Sequence, residues 1–146
     1  MTSERAKTPP LSLVDIHPDA STEPFWVAAA EHRLVCQRCA ACGTRRMPPS
    51  PVCAVCRSLD SEWDELSGLG TLYTFTIGRH ALMPEMAGSL PHVIGVVELD
   101  DAPGIRLVAN VVDVEVDEVA IGMALEVTWE DVPGTEVSVY RFRPPA

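Results

Sequence analysis

Two cysteine pairs constrain this chain more than any other feature. Cys39-Ala40-Ala41-Cys42 and Cys53-Ala54-Val55-Cys56 are separated by ten residues, close enough for a short polypeptide to bring four thiolates onto one tetrahedral ion. A two-residue gap turns the chain sharply, so both sulfurs of a pair face the same point. The residue after the second sulfur needs a positive φ, which Gly43 accepts easily and Arg57, at the matching place, accepts only with strain. The expected ligands are Cys39, Cys42, Cys53 and Cys56, holding one structural Zn2+ per chain with no open position for water. A closed four-cysteine site points to a metal and not to a reaction.

Cys36 makes the first pair read C-x2-C-x2-C, the opening of an iron–sulfur run, but such a run places its fourth cysteine three residues on, followed by proline. Here the next cysteine is Cys53, and Ala54 follows it. Cys36 lies in the apolar stretch Leu34-Val35-Cys36 and reads as a buried thiol acting as a small hydrophobe. Five cysteines cannot all pair, and the polar, proline-bearing Met1–Pro10 is unlike a secretion signal, so a reducing cytoplasm is expected.

The net charge of −10 speaks against nucleic acid as a partner. The charge is uneven, however. Five arginines (Arg33, Arg38, Arg45, Arg46, Arg57) fall in a stretch without a single Asp or Glu, while all 21 acids lie outside it. The metal module therefore reads as a basic island, whose arginines either hydrogen-bond to the sulfurs or meet an anion or acidic partner.

Around this module the chain divides into a flexible arm over 1–21, a helix and zinc ribbon over 22–67, and a β domain over 68–146. Thr22 is the expected N-cap of a helix with Pro24 in its first turn, running Phe25 to about His32. That helix is too short to stand alone, so Phe25 and Trp26 must dock on something. Glu62–Leu66 closes the ribbon as a strand. Beyond Gly68 the pattern alternates: Thr71–Ile77, with Tyr73, Phe75 and Ile77 on one face, then Val93–Leu99, Ile105–Val112, Leu125–Glu130 and Val137–Phe142. The second and third of these are apolar enough to be covered on both faces. Five short antiparallel strands, with an irregular element at Asp117–Ile121, suit a closed five-stranded barrel of the OB type, giving a mainly β protein. No apolar run approaches a membrane span.

The twelve residues His80–Pro91 join the first two barrel strands and carry Leu82, Met83 and Met86. Such side chains need cover, from the barrel's own mouth, a ligand or a partner subunit. No serine, cysteine or aspartate stands in a catalytic pattern with His17, His32, His80 or His92, and no phosphate loop is present.

The segments Thr22–Trp26, Leu34–Gly43, Pro48-Pro49, Cys53–Cys56 and Gly68–Thr76 together resemble the family labelled domain of unknown function thirty-five. The resemblance covers residues 22 to 143 and implies a short helix, a rubredoxin-like zinc ribbon and an OB fold. It implies a non-catalytic accessory subunit that docks on a thiolase-like or lipid-transfer-protein-type subunit and handles acyl-CoA. The complex would carry out acyl transfer, thiolysis or retro-aldol cleavage, steroid side-chain degradation included, with a separate hotdog-fold hydratase as a further partner. On that reading Arg45 and Arg46 are candidates for CoA phosphates or partner contacts, and Phe25, Trp26, Met83 and Met86 for the partner interface. Arg57 and His92 depart from the family pattern, which favours a small residue and an aromatic at those places. The competing class is a single-strand nucleic-acid binder, against which the acidic charge and the few strand aromatics weigh.

Overall fold

The computed structural model describes residues 3–146; Met1 and Thr2, the start of the expected arm, lie outside the described residues. Helix α1 runs Glu23–Ala30 with Pro24 in its first turn. Thr22 precedes it but makes no side-chain cap. Asp19 takes that part: its carboxylate accepts from the Ser21 and Thr22 amides, and its carbonyl from the Glu23 amide. Eight residues cannot hold themselves helical, and α1 is kept by burial of Phe25, Ala28 and Ala29. Phe25 meets Tyr140 edge to face at 5.8 Å. His32 closes the helix at φ +56°, its ring stacked on Trp129 and its Nε2 2.7 Å from Asp131.

The ribbon is an antiparallel sheet of β1 (Val35–Cys39), β2 (Arg45–Arg46) and β3 (Ser61–Glu65) in the order β2-β1-β3. Its central strand buries Val35, Cys36, Gln37 and Cys39, whereas β3 is exposed or half-exposed throughout.

Strands β4 (Leu69–Gly78), β5 (His92–Leu99), β6 (Arg106–Val111), β7 (Ala124–Asp131) and β8 (Ser138–Arg143) form a closed barrel in the order β4-β5-β6-β8-β7. The protein is thus mainly β, with a short helix, a cysteine-bearing ribbon and a five-stranded barrel. An all-antiparallel ring was expected. An odd number of strands cannot alternate direction all the way round, so one neighbouring pair must run parallel. That pair is β6–β8, joined through Val111 and Phe142. A short 3₁₀ turn at Val116–Glu118 is the irregular element between the third and fourth barrel strands. Leu72, Val93, Val97, Leu99, Val111, Leu125 and Phe142 fill the interior, each at most 1% exposed.

The face assignment of β4 fails at one residue. The register shifts between Leu72 and Thr74, and this β-bulge changes which alternate positions point inward. Leu72 faces the core before the bulge, while Phe75 and Ile77 are part-buried after it. Tyr73 therefore points outward, half exposed, with the Arg106 guanidinium 3.7 Å above its ring. The expected cover on both faces of β5 and β6 is also missing: Val108 is 64% and Ile94 37% exposed.

The N-terminal segment, read as an arm, lies along the barrel. The Ala6 amide donates to the Val114 carbonyl, Lys7 to Pro91, and Val116 to Glu4. Arg5 pairs with Asp113. Unpaired backbone at the barrel rim supplies the other half of each bond, two carbonyls and one amide, which is why the segment is laid down there.

Candidate metal centre and partner surfaces

The two knuckles share one hydrogen-bond plan. The Cys39 amide donates to Thr44 and the Cys53 amide to Ser58, five residues on in each case. The Gly43 amide returns to the Cys39 carbonyl and the Arg57 amide to the Cys53 carbonyl. Both turns need a left-handed residue: Gly43 has φ +76° and Arg57 φ +68°. A Cβ on Gly43 would meet no atom within 4 Å, so conformation rather than space favours glycine there.

This plan brings the sulfurs of Cys39, Cys42, Cys53 and Cys56 within 4.8 Å of one another. The Cys39–Cys56 and Cys42–Cys53 distances are both 3.6 Å. A tetrahedral zinc with metal–sulfur bonds of about 2.3 Å requires edges of roughly 3.8 Å, so the four thiols fit a metal ion. Their electrostatics agree. The Cys42 amide, 3.5 Å from the Cys39 sulfur, leads the effects that lower the Cys39 thiol to about 6. The Cys56 amide likewise lowers Cys53. At Cys56 the Ser58 amide pulls down, but the neighbouring sulfurs outweigh it and hold the thiol at about 11. Four thiolates cannot coexist here without a cation, which is what a bound metal supplies. Cys36 lies outside the cluster, fully buried, its thiol pushed up by burial and directed at the Gln37 carbonyl.

The five arginines do not form a free basic face. In the β1–β3 register Arg38 stands opposite Glu62, and it bonds both Glu62 and Asp64. Arg45 bonds Asp64 at 3.0 Å and the Asp101 carbonyl at 3.0 Å. Arg46 bonds the Ser50 carbonyl, leaving its buried Nη1 without a protein partner. Arg33 pairs with Glu31 and Glu65. Of the five, only Arg46 and Arg57 enter no ion pair among the described residues. Apart from Glu31, the acids absent from the local sequence come from β3, across the sheet.

The candidate interface residues separate. Phe25 is buried within the molecule, and Trp26 is partly buried against it at 5.1 Å. Leu82 is 84% and Met83 44% exposed, so the barrel mouth does not cover them. Met86 lines a hollow of about 380 Å³ together with Trp26, His92, Ile94 and Tyr140. A second hollow of about 300 Å³ shares Trp26, Val108 and Tyr140 with the first. Both lie over the gap between β6 and β8. The reading of the sequence missed Val108 and Val27. An apolar residue at an outward position of an alternating strand was the available signal for Val108.

Two histidines lie near serines, one through a shared carboxylate and one directly, without forming a nucleophile and base. Ser138 donates to the same Asp131 oxygen that His32 contacts, so its proton is directed to the carboxylate. Ser89 donates to the Met86 carbonyl and stands 3.3 Å from His92, whose buried ring is held below its ordinary pKa chiefly by desolvation.

Two family descriptions tile this architecture: "ChsH2, rubredoxin-like zinc ribbon domain" over residues 26–62 and "ChsH2, C-terminal OB-fold domain" over 63–130. A "DUF35 domain-containing scaffold protein" of Methanocaldococcus jannaschii is 31% identical over 118 residues, 76% of this chain and 81% of that protein. The chain belongs to the ChsH2/DUF35 family. Among solved structures, a chain of an "Ltp2-ChsH2(DUF35) aldolase" superposes with a TM-score of 0.79 and 35% identity, covering 89% of this DUF35 chain and 98% of that one. The "Probable enoyl-CoA hydratase alpha subunit" of Thermomonospora curvata is 40% identical over 121 residues, 82% of this chain. The DUF35 chain spans only 36% of that hydratase subunit's length. Among the described residues no helix is long and apolar enough to cross a membrane.

Proposed function

We propose that this DUF35 chain is a non-catalytic accessory subunit that joins a thiolase-like or lipid-transfer-protein-type enzyme and helps it process acyl-CoA thioesters. The observation that carries this reading is the match, from ribbon through barrel, to nearly the whole length of a chain from an aldolase complex. The scaffold name of the archaeal relative agrees with a role in assembly. The hydratase name of the actinobacterial relative agrees with CoA thioesters, and with a hotdog-fold hydratase as a further partner. Retro-aldol cleavage in steroid side-chain degradation is the reaction we favour for the complex.

In this reading the metal is a single structural Zn2+ on Cys39, Cys42, Cys53 and Cys56, and the compartment is the cytoplasm, where thiols stay reduced. The partner surface consists of Leu82, Met83 and Met86 with the open outer face of β5 and β6, where Ile94 and Val108 lack cover. Trp26 borders that surface through the hollow it shares with Met86, and Phe25 supports Trp26 from within. Arg45 and Arg46 stand as contacts for CoA phosphates or the partner; in the free chain their guanidinium groups already bond Asp64 and Ser50.

The test is co-expression with a thiolase-type or lipid-transfer-type subunit, followed by co-purification and assay on a CoA ester. The pair should co-elute and turn over, and the zinc-loaded chain alone should be inactive in acyl transfer, thiolysis and retro-aldol cleavage. Turnover by the chain alone would refute the accessory role. Met83→Glu should weaken assembly at unchanged thermal stability; lower stability with intact assembly would remove the loop from the interface. For Arg45→Ala with Arg46→Ala, a raised KM for the ester with intact assembly supports a phosphate contact. Weakened assembly with unchanged KM makes them partner contacts.

A further inference from the structure

Trp26 also borders a larger groove, about 890 Å³, between α1 and the β7–β8 hairpin. One wall is the outward stripe of α1. Glu23, Val27 and Ala30 recur at the spacing that places them on one helical face, and all three are exposed. The facing wall carries Asp131, Glu136 and Val137. Val27 is 56% exposed, although it sits in a concavity beside Trp26, Ala30 and Val137.

Every ionisable group lining this groove is a carboxylate: Asp19, Glu23, Glu31, Asp131 and Glu136, with no lysine, arginine or histidine among them. Three are already engaged within the chain. Asp19 accepts from the Ser21 and Thr22 amides, Glu31 pairs with Arg33, and Asp131 meets His32 and Ser138. Glu23 and Glu136, on opposite walls, enter no ion pair among the described residues. The groove therefore offers an apolar floor between two unneutralised carboxylates. A small polycation would satisfy the rims but leave the floor wet. Nucleic acid, an acidic protein or an anionic membrane would be repelled. A segment carrying an apolar side chain flanked by lysine or arginine matches both the floor and the rims.

We propose that the groove between α1 and the β7–β8 hairpin docks a cationic amphipathic segment of a partner protein. Its apolar side chain seats against Val27, Ala30 and Val137, and its flanking cations meet Glu23 and Glu136. This deepens the accessory reading by naming the chemistry of a partner segment, and it uses a face separate from the Met83 loop. Its test needs no assembled complex.

The intact zinc-loaded chain, labelled with nitrogen-15, is titrated with three probes: a synthetic leucine–lysine helix of about 15 residues, its leucine–glutamate counterpart, and spermine. The lysine peptide should shift the amides of Val27, Ala30, Glu136 and Val137, and the glutamate peptide should not. Glu23→Gln with Glu136→Gln should weaken the lysine peptide by roughly threefold to tenfold, and Val27→Asp should weaken it further, with the remaining spectrum unchanged. Shifts located elsewhere, affinity unaltered in the double variant, or spermine binding as tightly at the same amides would each overturn the proposal. Sedimentation showing that Val27→Asp dissolves a dimer would overturn it in favour of a second copy as occupant. If the lysine peptide binds here while no acyl-CoA subunit assembles with the chain, the accessory reading fails and the groove assignment stands; the reverse pattern separates them the other way.

Discussion

The ribbon and the barrel each hold short strands in place, but with different forces. In the barrel the strands bury a continuous aliphatic interior ending at Phe142, so apolar burial does most of the holding. In the ribbon β2 has two residues and β3 buries none of its own. Beyond Val35 and Cys36 of β1, which join the core, what holds it is four clustered thiols and the Asp64 carboxylate, bridged by Arg38 and Arg45. The two halves should therefore fail under different conditions, one on losing an ion, the other on losing volume.

Removing a sulfur tests this most severely. Structural zinc contributes on the order of 10 kcal/mol to the folding of small metal modules, so Cys53→Ser should lose zinc and unfold the ribbon while barrel amides stay protected. Elemental analysis with region-resolved hydrogen exchange reads both. Loss of protection in β5 and β6 as well would mean the halves fold as one unit. Cys36→Ser should keep its zinc; metal loss there would overturn the ligand assignment.

Phe142→Ala should cost about 3–5 kcal/mol in urea unfolding of the barrel and leave one zinc per chain. A smaller change follows from Asp64→Asn, roughly 1–2 kcal/mol and confined to the ribbon. Hydrogen bonds from Arg38 and Arg45 hold the Asp64 carboxyl below its ordinary value. Its contribution is thus complete above the unfolded pKa of about 3.9 and is lost as pH falls through the lower folded value. The gap between wild type and variant should accordingly be equal at pH 7 and pH 5, followed by urea unfolding with a zinc-sensitive dye. A gap that closes between those pH values would rule out Asp64 as its source.

The smallest effect belongs to the barrel. Burial keeps the His92 pKa below its ordinary value, so this site's stability is full above the unfolded pKa, about 6.5, and declines as pH falls toward the folded one. His92→Phe should flatten that decline, seen as a barrel melting temperature that varies less between pH 7 and pH 5.5. An unchanged slope would place the dependence elsewhere.

The thiol cluster and the barrel strands were legible because each depends on local spacing: C-x2-C for one, alternation for the other. The outward turn of Tyr73 was not, since a bulge is a property of two paired strands and one strand's pattern does not report it. The neutralised arginines escaped for a related reason. Arg38 and Glu62 are 24 positions apart and meet only when β1 pairs with β3. The parallel closure follows from counting strands, yet only after the ring is known to close. Val27 gave no local sign of its exposure, because which stripe of α1 faces outward depends on where Tyr140 receives Phe25.

That contact has a consequence for how copies of the chain behave toward one another. Strand β6 meets β8 only at Val111, so the stretch Arg106–Asn110 has no strand beside it on that side. Such an edge is a template on which an extended segment of another chain can add. Phe25 and Trp26 of α1 stand over this gap beside Leu107, Val108 and Tyr140, and they obstruct an incoming strand. The short helix thereby guards against runaway self-association, and shortening the chain to begin after Glu31, which also strips Ala6, Phe25 and Ala28 from the core, should release aggregates.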